Sequence, residues 1–287
     1  MVIHPFRKES RTAMIHASGL SLSLRDGQRV LPVLQDIDLH IDTGEWVTLT
    51  GANGSGKSSL VRIVNGLLLP TAGEVATNGL DLRSPGNRRQ VKRTVQTVFQ
   101  NPLSQTVGST PEEDVAFGLE NRGIPGEEMH LRVAQALKLT GLEDKASRPV
   151  EELSGGERQR LAIACCMALE PELLIFDEAT SMLDPISRNG IFALARELWK
   201  RGVTVLWVTQ RMEELAAGER ALVLEQGRLL YDGTPRGLFY GSGLPAALGW
   251  EDPPVVAVGR VMQDGGWPQG QLPLTEHELE EALCRFS

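Results

Sequence analysis

The sequence predicts an α/β fold in which a mostly parallel sheet carries helices on both faces and a helical insert interrupts the core. Three observations predict it. Two apolar runs, LLIFDEA (173–179) and VTVLWVTQ (203–210), read as strands buried on both sides. A helical segment, Ser187–Arg201, separates them. Ahead of them, from about Asn101 to Leu169, lie helix-like segments divided by Gly and Pro.

The elements follow in order. Residues 1–13 read as a flexible polar tail. From Met14 to Leu49 come three short runs, MIHASGLSLSL, LPVLQDIDLHI and EWVTLTG, punctuated by Asp26-Gly27 and Thr43-Gly44-Glu45. They read as strands joined by turns. After Gly51 the pattern becomes a helix, Ser58 to about Leu68, followed by the turn-rich stretch PTAGEVATNG. Within the insert, Pro111–Leu119, Glu127–Thr140 and Gly155–Leu169 are helical in pattern. RALVLEQGRLLYDG reads as a hairpin turning at Gln226-Gly227. From about Gly241 a Gly- and Pro-rich section leads to a closing helix, TEHELEEALCRF, where Thr275 and Glu278 have capping-box spacing.

Composition sets limits. The chain has 287 residues, 41% of them hydrophobic, which can support a buried core. Its net charge of −8 argues against non-specific nucleic-acid binding, which needs a positive surface. The aromatics form no base-stacking stripe. Cys165, Cys166 and Cys284 show no disulfide or metal spacing and read as buried small hydrophobes. The histidines show no ligand spacing either. No apolar run reaches the ~18 residues that span a bilayer, and the N-terminus lacks the apolar core of a secretion signal. A cytoplasmic location is expected, with any membrane contact made through partner proteins.

The chemistry begins at Gly51-Ala52-Asn53-Gly54-Ser55-Gly56-Lys57-Ser58, with Ser59 beside it, between an expected strand and an expected helix. This is a phosphate-binding loop: glycines let the backbone wrap the phosphates, and loop N–H groups and the helix N-terminus supply positive potential. Lys57 would reach the β- and γ-phosphates and the Ser58 hydroxyl would ligate Mg²⁺. Asp177 and Glu178 end an apolar strand, where α/β sheets bind ligands. Asp177 is placed to hold Mg²⁺, and Glu178 to act as general base on the attacking water.

Leu153-Ser154-Gly155-Gly156-Glu157-Arg158-Gln159 opens an expected helix just ahead of the Asp177 strand. With the phosphate loop, it resembles the signature of the ABC ATPases, and the resemblance covers residues 14–240. It implies a phosphate-loop, RecA-like core, a helical subdomain at about 101–169 and a small C-terminal extension at 241–287. ATP and Mg²⁺ are the implied ligands. Gln100, in VFQNP, resembles the glutamine that contacts Mg²⁺ and the attacking water. Asp184, in Ser181-Met182-Leu183-Asp184, resembles the aspartate that acts across a dimer interface. The implied assembly is a head-to-tail ATPase pair, each nucleotide lying between Lys57 of one subunit and the Ser154–Gly156 region of the other.

A narrower resemblance is to the energy-coupling factor transporter ATPases, which drive vitamin or transition-metal-ion uptake. It rests on FQNPLSQTVGSTPEEDVAFGLEN (99–121), DEATSMLDP (177–185) and LPLTEHELEEAL (272–283). It implies integral membrane partners, a peripheral place on the cytoplasmic face of the cell membrane, and a C-terminal segment that helps hold two ATPases together. The loop from Gln100 to about Gly118 is the implied docking surface. Two positions depart from the family pattern. Gln210 stands where the family has a histidine on the γ-phosphate, and Leu24 where it has an aromatic on adenine. A weakly hydrolytic or non-hydrolytic subunit of a heterodimer is therefore an alternative. A soluble ABC protein acting on ribosomes or DNA is another, although the chain has neither a coiled-coil insert nor a second cassette.

Overall fold

The strand pair β1 (Ala13–Asp26) and β2 (Arg29–Asp42) runs antiparallel, with Ile15 opposite Ile41 and Leu22 opposite Leu34. The computed structural model describes residues 13–27, 29–268 and 271–284. Most of the expected N-terminal tail lies outside the described residues, and Ala13 already belongs to β1. Strands joined by so short a turn can pair only antiparallel. They form a sheet of their own with β4 (Ala72–Thr77) and β5 (Leu80–Asp81), in the order β2-β1-β4-β5. The expected parallel sheet is present, and this second sheet is added to it.

The larger sheet contains β3 (Trp46–Thr50), β6 (Val95–Phe99), β7 (Leu173–Asp177), β8 (Thr204–Val208), β9 (Arg220–Glu225) and β10 (Arg228–Gly233). Its order is β10-β9-β3-β8-β7-β6, parallel except for the edge hairpin β9-β10. Strands β3 and β8 are buried along their whole length. Helix α1 (Lys57–Val64) and the antiparallel sheet cover one face around Leu60, Ile63 and Leu206. On the other face lie α5 (Gly155–Ala168) and α6 (Pro185–Lys200), around Phe176, Trp207 and Leu198. Because both faces are covered, these strands read as unbroken apolar runs rather than alternating ones.

Helices α3 (Pro111–Glu120) and α4 (Gly126–Thr140) pack with α5 around a separate core that includes Val115, Leu137 and Leu161. Two adjoining elements ahead of the insert are also not among those expected. Helix α2 (Pro85–Thr94) buries only Val91 and passes straight into β6 without a turn residue. Neither element therefore carries a strong periodic or boundary signal.

After β10 the chain forms α8 (Pro235–Gly241), α9 (Leu244–Ala247), α10 (Pro254–Asp264) and α11 (Glu276–Cys284). Phe239, Tyr240, Val256 and Leu272 pack there against Leu215 and Ala216 of α7 (Met212–Ala216) and Val223 of β9. Helix α10 was hidden by its Gly- and Pro-rich flanks. At the start of α11, Thr275 Oγ1 accepts from Glu278 N at 3.3 Å. The Glu278 carboxylate takes the Leu274 N–H at 2.9 Å and the Arg236 guanidinium at 2.9 Å, so only half of the expected capping box forms. Cys166 is buried but Cys165 is only half-buried and Cys284 exposed, correcting the expectation of three buried thiols; Cys284 falls on the outer side of a helix that buries only Ala282. Burial pushes the Cys166 thiol up to about 12.

Candidate functional site

The phosphate loop runs from the buried end of β3 into α1 and is tightly backed. A side chain at Gly51 would place Cβ 1.8 Å from Leu224 O, and one at Gly56 would meet Leu34 Cδ2 at 2.6 Å. Gly56, the N-cap of α1, has φ 106°. Glycine is thus required by close approach at both positions and by backbone conformation as well. The β9-β10 turn supports the loop from behind: Gly227 N donates to Ser55 O at 3.0 Å, and Glu225 Oε2 accepts from Ala52 N at 3.2 Å. Glu225 gave no signal in the sequence, because only the hairpin brings it to the loop.

Lys57 is 5% exposed, and its Nζ donates to Gly51 O at 2.8 Å and Ala52 O at 2.9 Å. Burial lowers its pKa from the usual lysine value, and Glu178, Asp177 and Glu225 pull it back up. Ser55 Oγ is buried with no hydrogen-bond partner among the described residues. Ser58 is exposed and Ser59 half-buried on the first turn of α1.

Parallel pairing brings the other polar groups to the same sheet end. Asp177 is in register with both Phe99 and Val208, so Gln100, Glu178 and Gln210 all leave the sheet there. Glu178 has φ 53°, a left-handed conformation that costs a non-glycine residue about 1–3 kcal/mol. Its N–H donates to Val208 O at 3.0 Å. Gln210 Nε2 donates to Glu178 Oε1 at 2.5 Å and to Asn53 Oδ1 at 2.9 Å, joining the β7 and β8 exits to the phosphate loop. Both neighbours are acceptors, so the amide N–H₂ must face them. Burial holds the Asp177 carboxyl above the usual aspartate range, and the adjacent Glu178 adds to the rise.

A second group of residues stands at the starts of α5 and α6. Ser154 caps α5: its Oγ accepts from Glu157 N at 3.3 Å, and Glu157 Oε2 accepts from Ser154 N at 2.8 Å, a complete capping box. Bonding to Lys145, with help from the Ser154 N–H, holds Glu157 down to about 2. Asp184 caps α6 through Ser187 N at 3.0 Å, and the Ser187 bonds lower its pKa. Gly156 lies against α6, where an added Cβ would meet Ser187 Oγ at 2.5 Å; at Gly155 it would meet only Leu183 Cδ2, at 3.8 Å. Gln159 is fully buried and its Nε2 donates to Phe99 O at 3.0 Å, which ties α5 to the chain just before Gln100.

The structure therefore brings Lys57, Asn53, Gln100, Asp177, Glu178 and Gln210 to one sheet end. Ser154, Gly155, Gly156 and Asp184 share the α5-α6 corner, and no hydrogen bond among the described residues joins that corner to the phosphate loop. Leu24 is 45% exposed on β1, opposite Leu31 on the strand whose Val33 and Leu34 touch Gly56.

Residues 34–181 match the family model described as ABC transporter. The chain belongs to the ABC transporter ATP-binding family. Within it, the chain is 43% identical over 254 residues to the energy-coupling factor transporter ATP-binding protein EcfA1 of Symbiobacterium thermophilum, covering 88% of each chain. It is 38% identical over 266 residues to the protein of that name from Halalkalibacterium halodurans, covering 93% of this chain and 96% of the relative. Among solved structures, cbiO1 of Clostridium perfringens, described as part of the ABC transporter complex cbiONQ, matches with a TM-score of 0.74 and 29% identity. That match covers 88% of this chain and 99% of the other. The cassette MJ0796, solved as a dimer in a post-hydrolysis state with ADP and phosphate, matches with a TM-score of 0.70 and 29% identity, covering 78% and 100%. The chain is thus an ABC ATPase of the energy-coupling factor type, an ATP-binding and ATP-hydrolysing transporter subunit.

Proposed function

We propose that this subunit hydrolyses Mg²⁺-ATP in a composite site shared with a second ATPase, and that membrane partners use the work to take up a vitamin or a transition-metal ion. The observation that carries the reading is the division of site residues into two groups. The phosphate-loop group is tied together within one chain, and the Ser154–Gly156 and Asp184 corner has no bonded tie to it. Two chains packed head to tail would set one chain's corner over the other's loop.

The donor set fits Mg²⁺. The Ser58 hydroxyl, the Gln100 side-chain carbonyl and the Asp177 carboxylate are hard oxygen ligands, and Mg²⁺ takes few protein ligands beside substrate phosphates. Burial, with the adjacent Glu178, raises the pKa of the half-buried Asp177 carboxyl, a cost that a bound cation would offset. The unpartnered Ser55 Oγ and the glycine cradle fit a phosphate in the same way. When bound, Mg²⁺ supplies positive charge to the terminal phosphate oxygens. Lys57 exchanges the Gly51 and Ala52 carbonyls for phosphate oxygens. Glu178 orients the attacking water and accepts its proton. Gln210 fixes the Glu178 carboxylate and reports to Asn53 of the loop.

The same reading divides the chain into an ATPase domain at 14–240, with its helical subdomain at about 101–169, and an extension at 241–287 that helps hold the ATPase pair. It places the subunit on the cytoplasmic face of the membrane. No helix among the described residues is long and apolar enough to cross a bilayer. Phe99, Val107 and Phe117 are exposed along a groove between β6 and α3, which supports this surface as the seat of a membrane-subunit segment. A slower subunit in a heterodimer is a second reading, favoured by Gln210 and Leu24. Phosphate release by the purified protein tests the chemistry: turnover should require Mg²⁺ and disappear in Glu178→Gln with ATP binding retained. Detergent pull-down followed by mass spectrometry tests the assembly. Recovery of soluble partners alone would overturn the transporter reading.

A further inference from the structure

We infer that Glu214 is a positioning residue for the hydrolytic pair Glu178 and Gln210, an inference that rests on Glu178 being the base. Glu214 lies on the short helix α7 and is 6% exposed. Its carboxylate accepts from three side chains: Thr180 Oγ1 at 2.6 Å, Thr209 Oγ1 at 2.7 Å and Trp207 Nε1 at 2.8 Å. A carboxylate is costly to bury unless donors replace its water. The nearest guanidinium nitrogen, Arg211 Nε, is 3.9 Å away, so these three donors provide the short contacts.

The donors come from both strand exits that build the site. Thr180 lies two residues beyond Glu178, and Thr209 one residue before Gln210. Thr209 Oγ1 also accepts from Arg211 N at 3.0 Å, so a single hydroxyl fixes the backbone on both sides of Gln210. On the other exit, Ser181 Oγ and N both donate to Glu178 O, at 2.8 and 3.1 Å, closing the turn that contains the left-handed Glu178. Trp207 anchors the arrangement to the core, stacked on Trp46 with ring centres 5.5 Å apart and tilted against Phe176 at 4.7 Å. The Glu214 carboxylate thus ties together, from below, the two loops whose side chains meet above it at 2.5 Å. Releasing it frees each loop separately and loosens the Glu178–Gln210 bond, although Glu214 reaches neither residue directly.

Steady-state ATP hydrolysis by full-length variants tests this. Glu214→Gln keeps the shape but removes the charge, and its N–H₂ can face Thr180 only if that hydroxyl turns round to accept, so all three charge-assisted bonds are weakened. Its kcat should fall about tenfold while KM for ATP stays within about twofold, the pattern of a lost transition-state arrangement. In a Gln210→Ala background the same substitution should change kcat by less than about twofold, because coupled residues are not additive. Thr180→Val, which removes one donor, should shift kcat in the same direction and serves if Glu214→Gln does not fold. Thr77→Val, which removes a buried hydroxyl bond to Val64 O, is the stability control and should lower Tm without lowering kcat. An unchanged kcat in Glu214→Gln, full additivity with Gln210→Ala, or an equal kcat loss in Thr77→Val would overturn the inference. Turnover surviving in Glu178→Gln would instead remove the base assignment, a failure of the earlier reading.

Discussion

The phosphate loop and the signature corner are both helix N-termini, yet they are built to opposite rules. Around the loop most of the polar side chains are occupied from within the chain, Lys57 by Gly51 and Ala52, Glu178 by Gln210 and Gln210 by Asn53, while the buried Ser55 Oγ has no partner among the described residues. At the corner, the bonds at Ser154 and Asp184 serve only their own helix caps. On the proposed reading the first exchanges these partners for phosphate, and the second presents backbone to a facing subunit. The difference teaches that conformational strain and buried charge concentrate at the sheet end proposed for the chemistry, while the proposed recognition surface is assembled from ordinary capping.

Five substitutions break or sharpen that contrast. The largest effect is expected from Glu178→Gln, with turnover reduced by on the order of 10²–10⁴, the range general-base catalysis supplies. ATP should still bind, and size-exclusion chromatography with ATP should show a longer-lived dimer; a normal rate would place the base elsewhere. Next comes Lys57→Ala, which should cost about 3 kcal/mol of ATP affinity, roughly a hundredfold, by titration calorimetry. Unchanged affinity would contradict the exchange of partners described for this lysine.

The glycine pair separates fold from recognition. Gly156→Ala drives a methyl into Ser187 and should lower stability by about 1–3 kcal/mol in denaturant melts. Gly155→Ala meets nothing closer than ordinary contact, so its melt should match the parent while ATPase activity falls, since only a facing subunit would feel it. Equal melting losses in both would mean that the corner is structural throughout. The smallest effect concerns pH. Glutamine does not titrate, so residue 210 gives the parent no inflection in kcat near neutrality. Gln210→His should add one near ~6.5. A neutral imidazole can accept or donate once, whereas the protonated ring donates twice and can bond both Glu178 and Asn53. Protonation as pH falls through that value should therefore restore the bridge, visible as a rise in kcat toward acid.

Much of this was legible in the chain. GANGSGKS lies between a strand and a helix, Asp177 and Glu178 end an apolar run, and LSGGERQ opens a helix with its own capping box. Each is a local pattern whose chemistry follows from spacing. What stayed hidden depends on distant pieces meeting. Glu214 reads as an ordinary surface acid in MEELA until Thr180 and Trp207 fold over it. Glu225 and Gln159 act on backbone groups 173 and 60 residues away in sequence. The antiparallel sheet, α2 and β6 were missed for a related reason: their burial is one-sided or interrupted, and pairing rather than periodicity defines them.

The turn at Gln226-Gly227 has a practical consequence for anyone labelling this protein. Tight hairpin turns at a sheet edge are usual places to insert a tag, because loop tips tolerate added chain. Here that turn is the back wall of the nucleotide loop: Gly227 bonds Ser55, and Gln35 N bonds Gly227 O at 2.8 Å. An insertion there would separate the loop from its support while leaving the sheet nearly intact, giving a protein that looks folded and cannot bind ATP. Gly126, exposed at the start of α4 with nothing within 4 Å of an added side chain and no left-handed backbone, is where a fluorophore belongs.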